Sequence, residues 1–535
     1  MATTVRVLIQ PAKTRSALLA ALVSRRPALS LAAAVIVIYL LLALGTATSR
    51  RPWSDEGWFA SPAFNLAAHG SMGSPVLDSS SWLPGINQYT YWVLPAHLVT
   101  QAGWYKMFGF SLLSLRMLSA FWGLVALAAW FVIMLRLAGD HRVALFTSAL
   151  LAVDYSFVMG ASFGRMDMMC AALGFAGLAA YLSLREKHFV WAVMVSHTLI
   201  AVSGLTHFMG LLHFAGLIFL TLYFDRQRIK WGYVALAAIP YVIGAIGWGL
   251  YILQDPAVFA IQFKANATTG GRLQGLSAPW LGFIHEFTER YRLAFGLGDQ
   301  SPGHSAIAKL KAFILVAYFA GIIGAFCTRR IRQQRGLRAL LLLTTIYFVI
   351  MAVLDGQKLA WYLVHIIPLY AALLATWLTD CWKNAALPRW VMAAAVGALL
   401  LLQAGGIVQR MRANEYRTTY APAVSFLKNH MQQSTLIMGS AELGFALGFD
   451  EHLVDDSFLG YFSGRRADFI VVDEIYALSF QGSQVERPAI YAHIIKLLNE
   501  DYKLVYDQAL YRIYARAERP PAKVSSNQSL SPNTF

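Results

Sequence analysis

Charge is scarce in this chain of 535 residues: only 13% of them are Asp, Glu, Lys or Arg, about half the share in a typical water-soluble domain. Cysteine is scarcer still, with Cys170, Cys327 and Cys381 the only three, each in or beside an apolar stretch. That excludes a disulfide framework and argues against a Cys-based zinc site. Long polar runs are also missing until the last residues. What fills the space is apolar: hydrophobic residues make up 57% of the chain and mean hydropathy is +0.51, more apolar surface than one aqueous core can hide. The composition is that of a polytopic α-helical membrane protein. Its net charge of +16 would point to nucleic acid if it formed a patch, but its distribution excludes that partner.

Eleven stretches approach the roughly 20 apolar residues that cross a hydrocarbon layer. They lie near 28–47, 117–135, 143–160, 168–184, 189–204, 207–224, 232–253, 312–328, 339–354, 359–378 and 390–408. With residues 1–27 placed in the cytoplasm, the inner segments hold 19 Lys/Arg against 4 Asp/Glu, the outer segments 12 against 10, and the tail from residue 410 holds 13 against 14. Basic residues gather on the inner side, and an odd number of spans puts the tail outside. The first apolar run is long for a cleaved signal peptide and is taken as a retained span.

The expected organisation is a cytoplasmic N-terminus (1–27), a membrane domain (28–408) with outer loops 48–116 and 254–311, an exported α/β domain (409–518) and a disordered tail (519–535). Within the second loop, Phe283, Phe287, Tyr291 and Phe295 recur every four residues, predicting an amphipathic helix lying on the membrane or on the protein. The α/β domain is expected to contain helices near 420–430 and 488–500, and strands Leu436–Gly439, Phe469–Asp473 and Leu504–Tyr514. Asn266-Ala267-Thr268 is a sequon by spacing alone.

Acids at span ends are informative because there are so few. Asp55 and Glu56 follow the first span: a general base and its neighbour, or an N-cap in which Ser54 or Asp55 satisfies a helix start. Arg165 and Asp167 open the fourth span, as a salt bridge at a helix start or as a pair facing an outward cavity. Lys358 lies in the short loop before the tenth span, placed either to meet an anionic phosphate or to snorkel. Trp361, Tyr362 and His365 follow it, and Pro368 is expected to kink that span. His207 begins the sixth span, as a phosphate donor or a cap, and His213, deeper, suits an interhelical hydrogen bond. Three loops far apart in sequence thus place ionisable groups at one membrane face.

The Asp55-Glu56 pair, the Arg165-Met166-Asp167 segment and the Lys358–Pro368 segment resemble the family 39 glycosyltransferases of the GT-C fold. These include protein O-mannosyltransferases, aminoarabinose transferases acting on lipid A and Rgt-type lipopolysaccharide sugar transferases. The resemblance covers roughly 28–408, and the following α/β domain is similar to one that many bacterial members carry. It implies a polyprenyl-phosphate sugar donor, a glycolipid, polysaccharide or protein acceptor, and inverting transfer at the periplasmic or extracellular face of the plasma membrane. Under it Asp55 matches the acid that activates the acceptor hydroxyl, Glu56 orients the acceptor or the local helix, and Asp167 matches the second-loop acid near donor and acceptor. Arg165 lies beside Asp167, and Lys358 and Tyr362 fall where the donor phosphate binds, with His207 a further donor to it. His365 departs from the often apolar residue of relatives. No Asp-x-Asp motif occurs in the outer loops, so no cofactor is expected, with a divalent metal left open. A secondary transporter or flippase is the alternative. It would place ionisable groups near the midplane, in two related halves.

Overall fold

The computed structural model describes residues 13–80, 83–268, 272, 274–297, 311–386 and 388–517. The expected disordered tail (519–535) lies wholly outside them. Helices α1 (Lys13–Ser49), α2 (Ser54–His69), α3 (Pro95–Phe108), α4 (Leu112–Ala138), α5 (His141–Ala152), α6 (Tyr155–Ala161), α7 (Met166–Leu184), α8 (Phe189–Thr206), α9 (Gly210–Asp225) and α10 (Trp231–Ile252) come first. Further long helices span Lys311–Cys327, Arg335–Leu354, Ile367–Lys383 and Arg389–Ala413.

Each of the eleven expected stretches coincides with helix, but not with eleven full-length spans. Among the described residues, seven helices are long and apolar enough to cross a membrane alone, and an eighth arises if α5 and α6, bent by 67°, are one broken span. Asp154 makes that break: its carboxylate caps α6 at Phe157 N–H (2.8 Å) and accepts from Tyr318 and Gln403. The remaining three stretches, Gly210–Asp225, Lys311–Cys327 and Ile367–Lys383, form helices of 16, 17 and 17 residues, short of the usual span. Pro368 kinks nothing. It stands in the first turn of Ile367–Lys383, where its missing N–H has no helical partner to lose, and a short 3-10 helix, Ala360–His365, precedes it. The protein is a multi-pass membrane protein. Helix α10 has no buried residue, and Val242, Ile243, Ile246 and Leu250 are exposed along it, an apolar surface suited to lipid.

The expected aromatic helix of the second loop exists as Pro279–His285, the wide-turned Glu286–Tyr291 and Arg292–Ala294. Its innermost side is a charged one: Gly282, Glu286 and Arg290 are buried, together with Tyr291, while Phe287 stays exposed. Periodicity alone marked the aromatic stripe, but buried partners on a neighbouring loop draw the charged residues inward.

Beyond Ala413 the chain forms helices Ala421–His430, Glu474–Glu486 and Pro488–Glu500 and strands β1 (Ile437–Met438), β2 (Leu453–Val454), β3 (Phe469–Val472), β4 (Tyr502–Gln508) and β5 (Tyr511–Arg516). The sheet order is β2-β1-β3-β5-β4, with β1 parallel to β2 and β3, and β5 antiparallel to β3 and β4. The single strand expected at Leu504–Tyr514 is a hairpin, turned at Ala509 in a left-handed conformation (φ 54°). Side chains alternate across the sheet. Ile437, Leu453, Val471 and Ile513 share a core with Phe59, Ala60, Leu98 and Tyr105 of α2 and α3, whereas Met438, Ile470 and Val472 pack with Tyr476, Ile494 and Leu497 of the domain's own helices. The sheet is therefore sandwiched between its own helices and helices α2 and α3 of the membrane part.

Candidate active site

Helix α2 carries Asp55 and is fixed at its start by a buried ion pair. Arg116, inside apolar α4, donates through Nε to Glu56 Oε1 (2.8 Å) and through Nη2 to Glu56 Oε2 (2.7 Å). Its remaining N–H groups reach the carbonyls of Ala47, Arg50 and Arg51 at 2.7, 2.7 and 2.9 Å. All five guanidinium donors are used, the carbonyls that end α1 are satisfied, and both side chains are fully buried. Glu56 also accepts from the backbone of Gly164 (2.8 Å) and Trp53 (3.1 Å). The cap of α2 thus falls to Glu56, while neither Ser54 nor Asp55 makes a capping bond. Glu56 orients the local helix and the Gly164 turn, and its oxygens are taken.

That same Gly164 turn delivers Arg165 onto Asp55. The Arg165 guanidinium bonds Asp55 through Nη1 and Asp167 through Nε, the latter at 2.8 Å. Arg165 and Asp167 are 6% and 5% exposed at the side chain and Asp55 is 23% exposed, so Asp55 is the acid that an incoming molecule can touch. Around them stand aromatic rings: the Arg50 guanidinium lies over Phe163 (4.4 Å) and Trp361 (5.9 Å), and that of Arg165 over Phe59 and Trp361.

Several buried polar atoms here have no hydrogen-bond partner among the described residues: Asp167 Oδ1, both ring nitrogens of His97, Tyr362 Oη and His365 Nε2. Buried polar groups normally find partners, so this clustering marks a place for polar ligand atoms. His97, His207 and His365 all lie within electrostatic reach of Asp167. On α3, outside the spans, burial pushes the His97 imidazole down to about 4, keeping it neutral. His207 ends α8, and its ring rests at 5.0 Å from that of Tyr362.

Lys358 is elsewhere. Its side chain is fully buried, 3.2 Å from Glu286 Oε2 and donating to the Ala352 carbonyl at 2.5 Å. Arg290 extends the chain of ion pairs from Glu286 (3.0 Å) to Asp355 (2.6 Å). Burial pushes Glu286 up and Lys358 down, and the ion pairs oppose both shifts. The cation expected to meet a phosphate is already neutralised, by an acid of the second outer loop that no spacing in the sequence connects with it.

Sequence reasoning missed Arg50, His97 and Arg116. Arg50 could have been found as a basic residue at the exit of the first span. His97 and Arg116 lie near the starts of α3 and α4, where only three-dimensional packing gives them partners.

The α/β domain holds the segment around Asp55 from both sides. Arg51 bonds Glu474 (2.6 Å) and lies 3.6 Å from Glu442, whose carboxyl is bonded by Tyr511 and pushed up to about 8 by burial and the neighbouring Asp473. Trp58 Nε1 donates to Asp455 Oδ2 (2.8 Å). A Cβ added at Gly57 would lie 2.5 Å from the Ala441 carbonyl carbon. Both partners there are backbone, so Gly57→Ala is expected to destabilise the protein by about 1–3 kcal/mol. Thermal unfolding in detergent should register a lower midpoint.

No protein-family model matches the chain, and no curated protein matches its sequence. Its three-dimensional structure does find counterparts. The crystal structure of ArnT from Cupriavidus metallidurans bound to undecaprenyl phosphate superimposes with a TM-score of 0.59 at 16% identity, over 92% of this chain and 98% of that one. The Archaeoglobus fulgidus oligosaccharyltransferase in complex with Zn and sulfate gives 0.54 at 12% identity, over 91% of this chain and 73% of that one. The chain has the GT-C fold. Within this GT-C framework the two carboxylates of the site are bridged by Arg165, and no third Cys, His, Asp or Glu joins them as a ligand set among the described residues. A metal between Asp55 and Asp167 does not fit: the guanidinium stands where the cation would.

Proposed function

We propose that this protein is a membrane glycosyltransferase that moves a sugar from a polyprenyl-phosphate donor to an acceptor hydroxyl, with inversion at the anomeric carbon. The single observation carrying this reading is the Asp55–Arg165–Asp167 bridge, formed where α2 meets the head of α7, with the accessible acid at its open end. The GT-C fold, shared with an ArnT structure bound to undecaprenyl phosphate, supports it.

A phosphate-linked sugar carries a good leaving group already. The protein needs a base for the acceptor hydroxyl and positive charge for the departing phosphate. Asp55 takes the hydroxyl proton as the oxygen attacks, and the sugar–phosphate bond breaks on the opposite face. Arg165 holds both carboxylates in place, with Asp167 beside the sugar. Arg50, with Arg165 and the unpartnered Tyr362 hydroxyl, receives the phosphate, and His207 orients the Tyr362 ring. Lys358 serves this reading only by shaping the loop before Tyr362. The acceptor class, whether glycolipid, polysaccharide or protein, is left to experiment.

Purified protein should release sugar from a polyprenyl-phosphate donor onto an acceptor hydroxyl in detergent or nanodiscs. A transporter or flippase would move its cargo across vesicles and form no new glycosidic bond. For sidedness, the basic bias of the inner loops predicts an exported site. A reporter active only in the cytoplasm, fused after Phe535, is expected to be silent, and strong activity there would reverse the orientation.

A further inference from the structure

We infer that Cys170, His213 and His365 form a binding site for one soft d10 cation, Zn²⁺ or Cu⁺, beneath the Asp167 end of the site. The three come from α7, α9 and the 3-10 helix before Pro368. All are fully buried, and one ligand atom from each lies within 4.8 Å of the other two.

The geometry is that of a ligand set rather than of packing alone. His213 Nε2 and His365 Nδ1 stand 3.1 Å apart. Two imidazole nitrogens on one tetrahedral zinc, at about 2.0–2.1 Å each, would stand about 3.3 Å apart, so the pair already has the bite of a metal site. The other nitrogen of His213 meets the Tyr347 hydroxyl at 2.9 Å, the outer-sphere contact that fixes tautomer and orientation in ligating histidines. His365 Nε2 is buried without a partner among the described residues, as is Asp167 Oδ1, and the two groups lie within electrostatic reach of each other. Asp167 does not bond that nitrogen, so it supplies negative charge near the site rather than an outer-sphere hydrogen bond.

One sulfur and two nitrogens select soft or borderline cations over Mg²⁺ or Ca²⁺. Binding deprotonates Cys170 Sγ and releases that proton to solvent. The resulting thiolate neutralises Cu⁺ outright and leaves Zn²⁺ with one positive charge, which Asp167 faces. Because Cys170 follows Asp167 by one helical turn on α7, an ion here would pin α7, α9 and the 3-10 helix together below Asp167. This site is independent of the transferase reading, which needs no metal.

The test is metal content. The full chain, purified through a tag without histidines and without chelators, is expected to carry about one zinc or copper per chain, or to take one up when incubated with Zn²⁺ or Cu⁺. Cys170→Ser and His365→Gln should each lower this to about a tenth or less, while Cys327→Ser, which removes an exposed thiol, leaves it unchanged. Loading with Co²⁺ should produce a thiolate-to-cobalt charge-transfer band that Cys170→Ser abolishes. Which of the two ions is retained distinguishes the zinc arm from the copper arm. Wild-type protein that neither carries nor takes up either ion overturns the inference without reference to any variant. A content unchanged by Cys170→Ser and His365→Gln overturns it equally.

Discussion

Asp55→Asn is expected to slow sugar transfer by about 10²- to 10⁴-fold, the contribution of a positioned general base. The variant should still insert and fold. The cap of α2 is made by Glu56, and the docking of α2 rests on Arg116, Gly57 and Trp58. None of these contacts involves the Asp55 carboxylate. An amide keeps the size of the side chain and can still accept from Arg165, so Arg165 and Asp167 should keep their places. The decisive comparison is single-turnover transfer by purified Asp55→Asn and wild type at saturating donor, with donor binding measured separately. Unimpaired turnover would move the base to Asp167. Lost donor binding with unchanged turnover of the bound fraction would make Asp55 a binding residue instead.

Lys358→Ala is expected to destabilise the fold by about 3–5 kcal/mol, the usual cost of removing one partner from a buried ion pair. The reason lies in the chain of ion pairs that Lys358 makes with Glu286 and, through it, with Arg290 and Asp355, whose side chains are all fully buried. Without the ammonium, two carboxylates face one guanidinium in a dry site. Pairing the change with Glu286→Gln should recover much of the loss, because the surplus charge then disappears. Lys358 also holds a left-handed backbone conformation (φ 54°), which costs a non-glycine residue about 1–2 kcal/mol and which its ion pair with Glu286 helps to maintain. Denaturant unfolding in detergent would measure both variants. Wild-type stability in Lys358→Ala with a raised donor KM would give Lys358 back the role of phosphate ligand that its sequence position suggested.

The contrast between Asp55 and Lys358 shows what can be read from a membrane sequence. Both were singled out as rare charges at span ends. Asp55 lies in the first turn of α2, beside the end of the first apolar stretch, and the distant Arg165 is itself visible as a charge at a span end. Lys358 is decided by Glu286 and Arg290, 72 and 68 positions away, inside a helix whose aromatic stripe masked its charged face. Periodicity located helices at all eleven apolar stretches, because an apolar run of that length has few other solutions in lipid. It did not show that Asp154 breaks one of them or that Pro368 begins another, since both depend on side-chain partners in distant segments. In the α/β domain the strongly apolar strands were legible. The two-residue β2 was not, being held mostly by pairing with β1 and by contact with the outer loop after α2.

That last contact has a consequence for inheritance and engineering. The backbone of Asp455 at the end of β2 donates to the Val76 carbonyl (2.8 Å) and accepts from Asp78 N–H (3.2 Å), so the membrane part contributes a strand-like edge to the sheet. Together with Arg51, Gly57 and Trp58, this ties the two halves through parts that must match residue by residue. Chimaeras that exchange everything after residue 413 should therefore work only when segments 51–58 and 76–78 travel with it, making α2 and the distant C-terminal domain a single unit of exchange.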